Sequence, residues 1–382
     1  MVLGMRKIKL LHVTSSLKIG GAERILCDLV RTLGNQGFEH HVIYFHEGPN
    51  VQKIKSYGAK TYKITGFICL YDLCFFTRLF CLIKKIDPDV VHSLLWSANI
   101  ATRFVAKILK KPLLSVYHSH IDDSFARNFI DKMTRGLSDL NITVSADIAK
   151  SLGKRFLCKA STRIIPNGID FDHIHTQSQC KSNIIKREDL RLSKDDFVIG
   201  AVGRFCPVKN FPLLLNSFSL VSTVRKSTKL VIVGIGPLES KLRELAYKLK
   251  ITDKVRFVIG KQAHNYYSIF DCFVQSSLHE GFSIALLEAM SFELPCIVTN
   301  KGEHPVIIHN KNGIIVESES QSMLYEALLT ILDNRAFAKK MAKNSKSDVL
   351  ERFSGKKMVN KYKSLFCLLY SRYTNRKSNK VG

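Results

Sequence analysis

The chain has 382 residues, 46% hydrophobic and 24% charged, a composition that predicts two or three globular domains and excludes a disordered or fibrous protein. Lys and Arg outnumber Asp and Glu by 58 to 32, and this net charge of +26 favours anionic partners. The ten cysteines form no CxxC pair and no cluster at metal-binding spacing, which excludes a disulfide scaffold and indicates a reducing compartment. No apolar stretch near the start is long enough for a signal peptide, so we expect a cytoplasmic protein.

Short apolar runs alternate with helical stretches over the first half of the chain. The predicted strands cover residues 8–13, 41–45, 61–64, 90–92, 113–117 and 140–144. The predicted helices between them cover residues 22–33, 70–85, 98–109 and 126–136. Strands that alternate with helices of this length form right-handed βαβ units on a parallel sheet.

Residues 66–83 are mostly apolar and aromatic, but Asp72 and Arg78 interrupt them. A membrane-spanning helix requires about twenty apolar residues with few charges, so the sequence argues against a transmembrane segment. Two interpretations stay open, a buried crossover helix or a surface that enters the membrane interface.

The alternation lapses over the polar residues 173–194 and then restarts. Strands are predicted at 197–202, 230–233, 255–259, 272–275 and 296–298, and helices at 211–225, 238–249, 282–292, 323–332 and 357–370. The sequence therefore predicts an α/β protein with two Rossmann-like doubly wound domains and a ligand cleft between them. The expected bounds are 1–172 for the first domain, 173–194 for a linker, 195–355 for the second domain, and 356–382 for a helix that returns toward the first domain, with a basic tail.

Two glycine-containing turns follow predicted strands at the edge where such sheets bind ligands. Gly20 and Gly21 open the first helix and could point backbone N–H groups at a ligand, although their spacing is not that of a dinucleotide fingerprint. Gly203 begins the equivalent turn of the second half, where Arg204 and Lys209 could clamp a diphosphate, one as a planar fork and one as a point charge. The structural alternatives are a plain tight turn and a solvated basic loop.

Two carboxylates, Glu280 and Glu288, bracket a loop that turns into an apolar helix. At a helical rise of about 1.5 Å per residue, eight positions separate their Cα atoms by about 12 Å, too far to act on one bond but suitable for two ends of an elongated ligand. Gly281, Phe282 and Ser283 would present free backbone N–H groups at the helix start, where anions bind. This arrangement favours a nucleotide diphosphate sugar, with helix capping as the structural alternative.

His118 and His120 lie just past the predicted strand 113–117, at the ligand-binding end of the sheet. The D-x-D pattern found in some metal sites occurs at residues 87–89 and 170–172. The first runs directly into an apolar strand and the second lies near the domain boundary. Both are interpreted as structural, and no bound metal is predicted.

Taken in order, these motifs resemble glycosyltransferase family 4, the retaining nucleotide-sugar transferases of GT-B fold. The resemblance extends over nearly the whole chain. It is carried by the glycine pair at 20–21, His118, residues 166–170 (Pro-Asn-Gly-Ile-Asp), residues 203–209, residues 234–237 (Gly-Ile-Gly-Pro) and, most specifically, the Glu-x7-Glu at 280–288 followed by Ala-Met. Many members have Gly-Gly-x-Pro-Glu where this chain has Lys-Gly-Glu-His-Pro at 301–305, and this departure leaves the details of acceptor and sugar open.

The resemblance implies a donor site in the second, nucleotide-sugar-binding domain. Arg204 and Lys209, on the turn that begins at Gly203, would bind the donor diphosphate, and Glu288 would hold the nucleotide ribose. The backbone amides of residues 281–283 would contact the phosphate.

The resemblance also implies the catalytic residues and the acceptor side. Glu280 would contact the transferred sugar, and His118 would be the active-site histidine of the first, acceptor-side domain. His120 competes for this assignment, but its distance from Pro112 is less favourable. Gly20 and Gly21 would lie by the phosphates and the acceptor.

The implied activity is that of a retaining, metal-independent hexosyltransferase without a cofactor beyond its nucleotide-sugar co-substrate. It would transfer a sugar to a lipid-linked glycan or related acceptor in surface polysaccharide, capsule or lipopolysaccharide synthesis. The basic charge and residues 66–83 favour a peripheral position on the inner face of the membrane, on an anionic surface. Nucleic acid is not an expected partner, because no recognition motif accompanies the basic residues.

Three alternatives to this activity stay open. A nucleotide-sugar 2-epimerase and a disaccharide phosphorylase share the two-domain architecture. A basic nucleic-acid-binding protein would account for the charge, but not for the two glutamates at 280 and 288.

Overall fold

The computed structural model describes residues 6–66, 72–119, 125–155, 161–180, 184–300 and 304–378. The chain divides into two compact units, one of Met1–Gly168 with Gly355–Gly382 and the other of Ile169–Ser354. The second unit is therefore inserted into the first. Of the residues singled out above, His120, residues 67–71 of the apolar segment, and residues 301–303 lie outside the described ranges.

The first unit is built on a seven-stranded sheet with strand order β3-β2-β1-β4-β5-β6-β7, parallel throughout. The central strands are buried along their whole length, because helices cover both faces of a parallel sheet. The strands are β1 Ile8–Ser16, β2 Phe38–His46, β3 Lys60–Lys63, β4 Val90–Leu94, β5 Leu113–Tyr117, β6 Leu140–Thr143 and β7 Thr162–Ile164.

Helices of the first unit pack on opposite faces of this sheet. They are α1 Gly21–Leu33, α2 Asn50–Ser56, α3 Leu73–Ile86, α4 Trp96–Ile108, α5 Phe125–Arg135 and α6 Ala146–Arg155. Phe75 and Leu79 of α3 share a core with Ile43, whereas Leu26 of α1 packs in a separate core with Val42. Neighbouring residues of a strand point to opposite faces, so α3 and α1 cover different sides of β2.

The second unit repeats the architecture with six parallel strands in the order β10-β9-β8-β11-β12-β13. Its strands are β8 Phe197–Val202, β9 Thr228–Gly234, β10 Val255–Ile259, β11 Cys272–Gln275, β12 Cys296–Asn300 and β13 Ile314–Glu317. Its helices are α7 Phe171–Gln179, α8 Phe211–Val224, α9 Glu239–Lys248, α10 Ile284–Ser291, α11 Gln321–Asp333 and α12 Arg335–Arg352. Fully buried Phe205 and Phe218 lie in its core with Ile199.

The last helix, α13 Gly355–Ser378, belongs to the first unit. Phe366 of this helix lies against two histidines of the sheet, with ring centroids 6.4 Å from His12 and 5.5 Å from His92. Lys363 donates a hydrogen bond of 2.9 Å to Gln36, which fixes the helix at a second point. No described helix combines the length and hydropathy needed to span a lipid bilayer.

The prediction of an α/β protein with two doubly wound parallel sheets is confirmed, and the observed elements extend it. The predicted helix 282–292 is wrong at its start, because α10 begins at Ile284 and the Ser283 side chain caps it by accepting a hydrogen bond from Leu286 N at 3.3 Å. The expected linker 173–194 contains most of α7. This helix packs in the second unit, where His175 stacks on Phe292 with ring centroids 4.3 Å apart.

Candidate active site

Two turns of the second unit lock together at the carboxyl edge of its sheet. The Gly203–Phe205 turn follows β8, and its Phe205 N donates to Ile235 O at 3.0 Å in the turn that follows β9. A Cβ atom on Gly234 would lie 2.0 Å from Gly203 O, and one on Gly236 would lie 2.5 Å from Phe205 O. Only glycine permits this backbone approach, so the Gly-Ile-Gly turn holds the Arg204 loop in place.

Lys209 and Glu280 form an ion pair that links the β8 loop to the β11 loop. Ser277 Oγ donates to the same Glu280 oxygen at 3.0 Å. A second contact runs through the backbone, since Ser276 Oγ donates to Lys209 O at 2.9 Å. Strands β8 and β11 are neighbours where the strand order reverses, which is the position of the ligand crevice in doubly wound sheets.

Arg204 does not share this network. Its side chain is exposed and forms no ion pair or hydrogen bond within the described residues. The expected pair of cations is therefore present on one loop, but Lys209 pairs with Glu280 while the Arg204 guanidinium faces solvent.

The loop between Glu280 and α10 offers backbone donors at a helix N-terminus. Within the described part of the chain, the N–H groups of residues 281–283 donate no hydrogen bond. The Phe282 side chain is buried and packs on Phe353, with ring centroids 5.3 Å apart. Since Glu280 precedes the helix, the expected axial separation of about 12 Å does not apply to the pair of glutamates.

Glu288 is buried on α10, with only 6% of its surface exposed. Its carboxylate accepts a hydrogen bond of 2.9 Å from the hydroxyl of Tyr267, which is itself fully buried. That hydroxyl also lies 3.1 Å from Ala285 O. A buried carboxylate needs such partners because transfer from water to the protein interior is costly.

His304 lies near Glu280 on the loop that follows β12. Its Nδ1 accepts hydrogen bonds from Val306 N at 3.2 Å and Ile307 N at 3.1 Å, so in the neutral ring the proton is on Nε2. Burial lowers the pKa of His304 to about 4, with the Glu280 carboxylate opposing that shift. His304 is neutral near pH 7, and its Nδ1 shapes the turn where this chain departs from the Gly-Gly-x-Pro-Glu pattern.

The candidate residues of the first unit lie at the carboxyl ends of β1 and β5. Gly20 and Gly21 are exposed at the start of α1, and Gly20 O accepts the first hydrogen bond of that helix from Arg24 N at 3.0 Å. His118 directly follows β5, and both its ring nitrogens are shielded from solvent without a hydrogen-bond partner among the described residues. Burial lowers the pKa of His118 to about 4, so the ring is neutral near pH 7.

Both D-x-D patterns have structural contacts. Asp89 accepts hydrogen bonds from Lys9 N at 2.9 Å and from Arg6 at 3.3 Å, and Asp87 pairs with Lys111. Asp170 caps α7 by accepting from His173 N at 3.1 Å. In the described ranges, no group of three or more His, Cys, Asp or Glu side chains is arranged to hold a metal ion.

Ser277 and Tyr267 are the site residues that the sequence analysis missed. Ser277 precedes Glu280 by three positions, and this S-x-x-E spacing is a recognisable signal for a local hydrogen bond. Tyr267 lies in a short turn 21 positions before Glu288, and no local pattern connects the two.

The chain matches two family models that together extend over both halves. Residues 19–173 match the model described as Glycosyltransferase Family 4, and residues 182–348 match the model described as Glycosyl transferases group 1. The two matches fall on the two units of the structure and contain the candidate residues of each.

Relatives and solved structures agree with these matches. The chain is 25% identical to UDP-Gal:alpha-D-GlcNAc-diphosphoundecaprenol alpha-1,3-galactosyltransferase of Escherichia coli, over 94% of this chain and 97% of the relative. It is also 25% identical to the lipopolysaccharide core biosynthesis glycosyltransferase LpsD of Rhizobium meliloti, over 94% of this chain and 98% of the relative. Anabaena HepE, solved in complex with UDP-glucose, superposes with a TM-score of 0.84 at 18% identity and covers 94% of this chain and 99% of its own.

These similarities confirm the predicted family and enzyme class and do not favour the epimerase, phosphorylase or nucleic-acid-binding alternatives. The shared architecture confirms the predicted GT-B fold class. The chain belongs to glycosyltransferase family 4 and is a glycosyltransferase.

Proposed function

We propose that this enzyme transfers a hexose from a uridine diphosphate sugar to a lipid-linked glycan, with retention of the anomeric configuration. The observation that carries the proposal is the site at the β8–β11 switch point. It combines the Lys209–Glu280 pair, unbonded amides at 281–283 and the buried Glu288 on one edge of one sheet. Cations and helix-terminal amides suit a diphosphate, and a buried carboxylate suits the hydroxyl groups of a ribose.

The donor diphosphate would bind between Arg204, Lys209 and the amides of residues 281–283. Its charge would draw the exposed Arg204 guanidinium inward, because a bidentate contact with phosphate oxygens is stronger than hydration at the surface. Electrostatic stabilisation of a leaving diphosphate lowers the barrier by about 3 kcal/mol per well-placed donor. The Gly203 turn and the Gly20–Gly21 turn would let backbone approach the phosphates closely.

Glu280 and His118 would act at the transferred sugar. The Glu280 carboxylate is held by Lys209 and Ser277, which fix its orientation before a sugar hydroxyl binds. The neutral His118 ring has two shielded nitrogens to offer to the sugar. A buried polar group of this kind gains most from a ligand that completes its hydrogen bonds.

The choice of donor and acceptor rests on the named activity of the Escherichia coli relative, which uses UDP-Gal and a diphosphoundecaprenol-linked sugar. The Rhizobium relative supports a role in lipopolysaccharide synthesis. By analogy with these two relatives, we propose that this enzyme uses a uridine nucleotide sugar and an undecaprenyl-diphosphate-linked acceptor. Its role would be in surface polysaccharide, capsule or lipopolysaccharide assembly.

Two further properties belong to the proposal. The reaction proceeds without a metal ion, since Arg204, Lys209 and backbone amides supply the positive charge, and full activity in excess EDTA is the expected result. The enzyme lies at the cytoplasmic face of the membrane, bound through basic residues to anionic lipid, because its acceptor is anchored there.

Calorimetry with UDP, GDP and ADP, followed by product analysis with an undecaprenyl-diphosphate-linked acceptor, tests the function. We expect UDP to bind, Lys209→Ala and Glu288→Ala to weaken binding about tenfold or more, and His118→Ala to lower kcat mainly. Lys226→Ala is the control, because this substitution removes the same charge and Lys226 is exposed at the opposite edge of the same sheet. Nucleotide binding that is unaffected by both site variants would contradict the donor-site assignment, and an inverted product would contradict retention.

A further inference from the structure

Three neighbouring helices of the first unit expose large apolar side chains to solvent. Leu73 on α3 is 80% exposed, Ile108 on α4 is 67% exposed and Phe125 on α5 is 84% exposed. Phe129 and Met133 follow Phe125 at intervals of four residues, so α5 carries one continuous apolar stripe. Soluble proteins rarely leave side chains of this size uncovered in one region unless the region contacts something.

These side chains lie on adjacent helices that pack side by side, α4 against both α3 and α5. The Phe76 ring of α3 meets the Phe104 ring of α4 at the surface, with centroids 6.4 Å apart and planes at 84°. On α5, the Phe125 and Phe129 rings stack with centroids 6.3 Å apart. We call the solvent-facing side of α3, α4 and α5 the lateral face.

The lateral face is cationic as well as apolar. The three helices contain a single carboxylate, Asp131, and this residue is fully buried between Arg103 and Arg135. The exposed charges of these helices are therefore all positive: Arg78, Lys84, Lys85, Lys107, Arg127 and Lys132.

We infer that the lateral face is the surface by which this enzyme docks on an anionic phospholipid bilayer. Apolar side chains enter the boundary between head groups and acyl chains, while lysine and arginine beside them contact lipid phosphates. The inference rests on the proposed membrane association and names the surface of the protein that contacts the membrane. A second copy of the chain fits this face poorly, because two lateral faces in a symmetric dimer would oppose cations to cations.

The docking test uses sedimentation of the full-length enzyme with vesicles of phosphatidylglycerol and phosphatidylcholine. The face variant is Ile108→Ser, Phe129→Ser, Lys84→Glu and Lys85→Glu. The matched control is Leu220→Ser, Val224→Ser, Lys339→Glu and Lys340→Glu, which likewise replaces two apolar residues by Ser and two Lys by Glu, at exposed positions of the second unit. We expect the face variant to bind these vesicles at least about tenfold more weakly and the control to bind like the parent, with parent binding weakened by salt.

A second test uses a single-tryptophan variant, whose conservative substitutions should not disturb folding. The chain has one tryptophan, Trp96, so Phe129→Trp in a Trp96→Phe background places a single fluorophore on the lateral face. We expect its emission to shift to the blue on vesicle binding and to be quenched by brominated acyl chains. Tyr247→Trp in the same background, at a position 77% exposed on α9, should show neither change.

Each outcome separates the inference from the proposed function. Equal vesicle binding by the face variant and the parent, or an unquenched fluorophore at position 129 on bound vesicles, would overturn the location. No binding by the parent would overturn both the membrane association and this surface, while UDP binding by calorimetry would still decide the donor site. A change of oligomeric state in the face variant alone would identify a protein interface instead and overturn the inference.

Discussion

At the residue scale, a tyrosine hydroxyl helps to orient Glu288. Tyr267 donates to its carboxylate at 2.9 Å, and both residues are buried. We expect Tyr267→Phe to raise the KM for the donor by about three- to tenfold, equivalent to about 1 kcal/mol for one hydrogen bond, with little change in kcat. Tyr266→Phe on the same turn is the control, and an equal effect in both variants would exclude a specific contact with Glu288.

Much of this site could be predicted from single residues, but not how they pair. Arg204, Lys209 and Glu280 fall in loops after strands, and Glu288 falls in the helix that follows, positions that local patterns reveal. The Lys209–Glu280 pair joins residues 71 positions apart, and the sequence contains no signal for it. The supporting Tyr267 was missed for the same reason, because its role depends on tertiary packing.

At the element scale, a buried charge network fastens α4 and α5 to the end of β5. Asp131 accepts from Arg103 at 2.9 Å, from Arg135 Nε at 2.9 Å and from the Tyr117 hydroxyl at 2.9 Å. Burial raises the pKa of Tyr117 to about 12, so this hydroxyl stays protonated and donates. Since Tyr117 directly precedes His118, the network also helps to fix the position of His118 at the end of β5.

Removing the charge of Asp131 should therefore destabilise the first unit. We expect Asp131→Asn to lower the free energy of unfolding by about 3–5 kcal/mol, because it leaves two buried guanidinium groups without their carboxylate. Urea denaturation of the variant measures this loss. Asp253→Asn, at an exposed loop position of the second unit, should stay within about 0.5 kcal/mol of the parent, and a similar value for Asp131→Asn would show that the network adds no stability.

A row of buried histidines lies between the first sheet and α13. His12 bridges its neighbours, with Nδ1 2.9 Å from His92 Nδ1 and Nε2 2.9 Å from His40 Nδ1. Burial lowers the pKa of His40 to about 4 and that of His92 to about 3, and it lowers the pKa of His12 well below its usual value. All three rings are therefore neutral at pH 7.

This row makes stability depend on pH with a definite sign. Above about pH 6.5 these histidines are neutral in both the folded and unfolded chain, and the stability is fully present. Below that pH only the unfolded chain takes up protons, so the free energy of unfolding falls by up to about 1.4 kcal/mol per pH unit for each histidine until about pH 4. We expect His40→Gln to make the free energy of unfolding, measured by denaturation at pH 7, 6 and 5, less dependent on pH. The reduction in slope should correspond to the uptake of about one proton fewer on unfolding. A slope in His40→Gln equal to that of the parent would contradict the assignment.

The elements that the sequence analysis missed are α2, α6, α7, α12, β7 and β13, and the last three have weak local patterns. Strands β7 and β13 have three and four residues, too short for a clear alternation. Helix α12 carries four lysines and buries few apolar side chains, so its period is indistinct. The long apolar strands and α8 stood out because burial on both sides leaves continuous hydrophobic runs.

At the scale of the whole molecule, the division into two units localises the effect of the donor. All residues proposed to bind the diphosphate and ribose, apart from the Gly20–Gly21 turn, lie within Ile169–Ser354. We expect UDP to slow amide exchange of the full-length enzyme mainly in residues 203–210 and 276–288, because ligand binding stabilises the unit that holds it. Protection concentrated in residues 113–119 would move the donor site to the first unit.

The late position of α13 has a consequence for synthesis. The second unit is one continuous segment and can fold as soon as residue 354 has left the ribosome, whereas the first unit needs a helix that ends 24 residues later, at the other end of the chain. Until then the aromatic and histidine side chains beneath α13 are uncovered, and transiently exposed apolar surface of this kind favours aggregation. The first unit therefore begins to emerge before the second unit but is completed after it. A premature stop near residue 355 would leave the second unit complete and the first unit without α13.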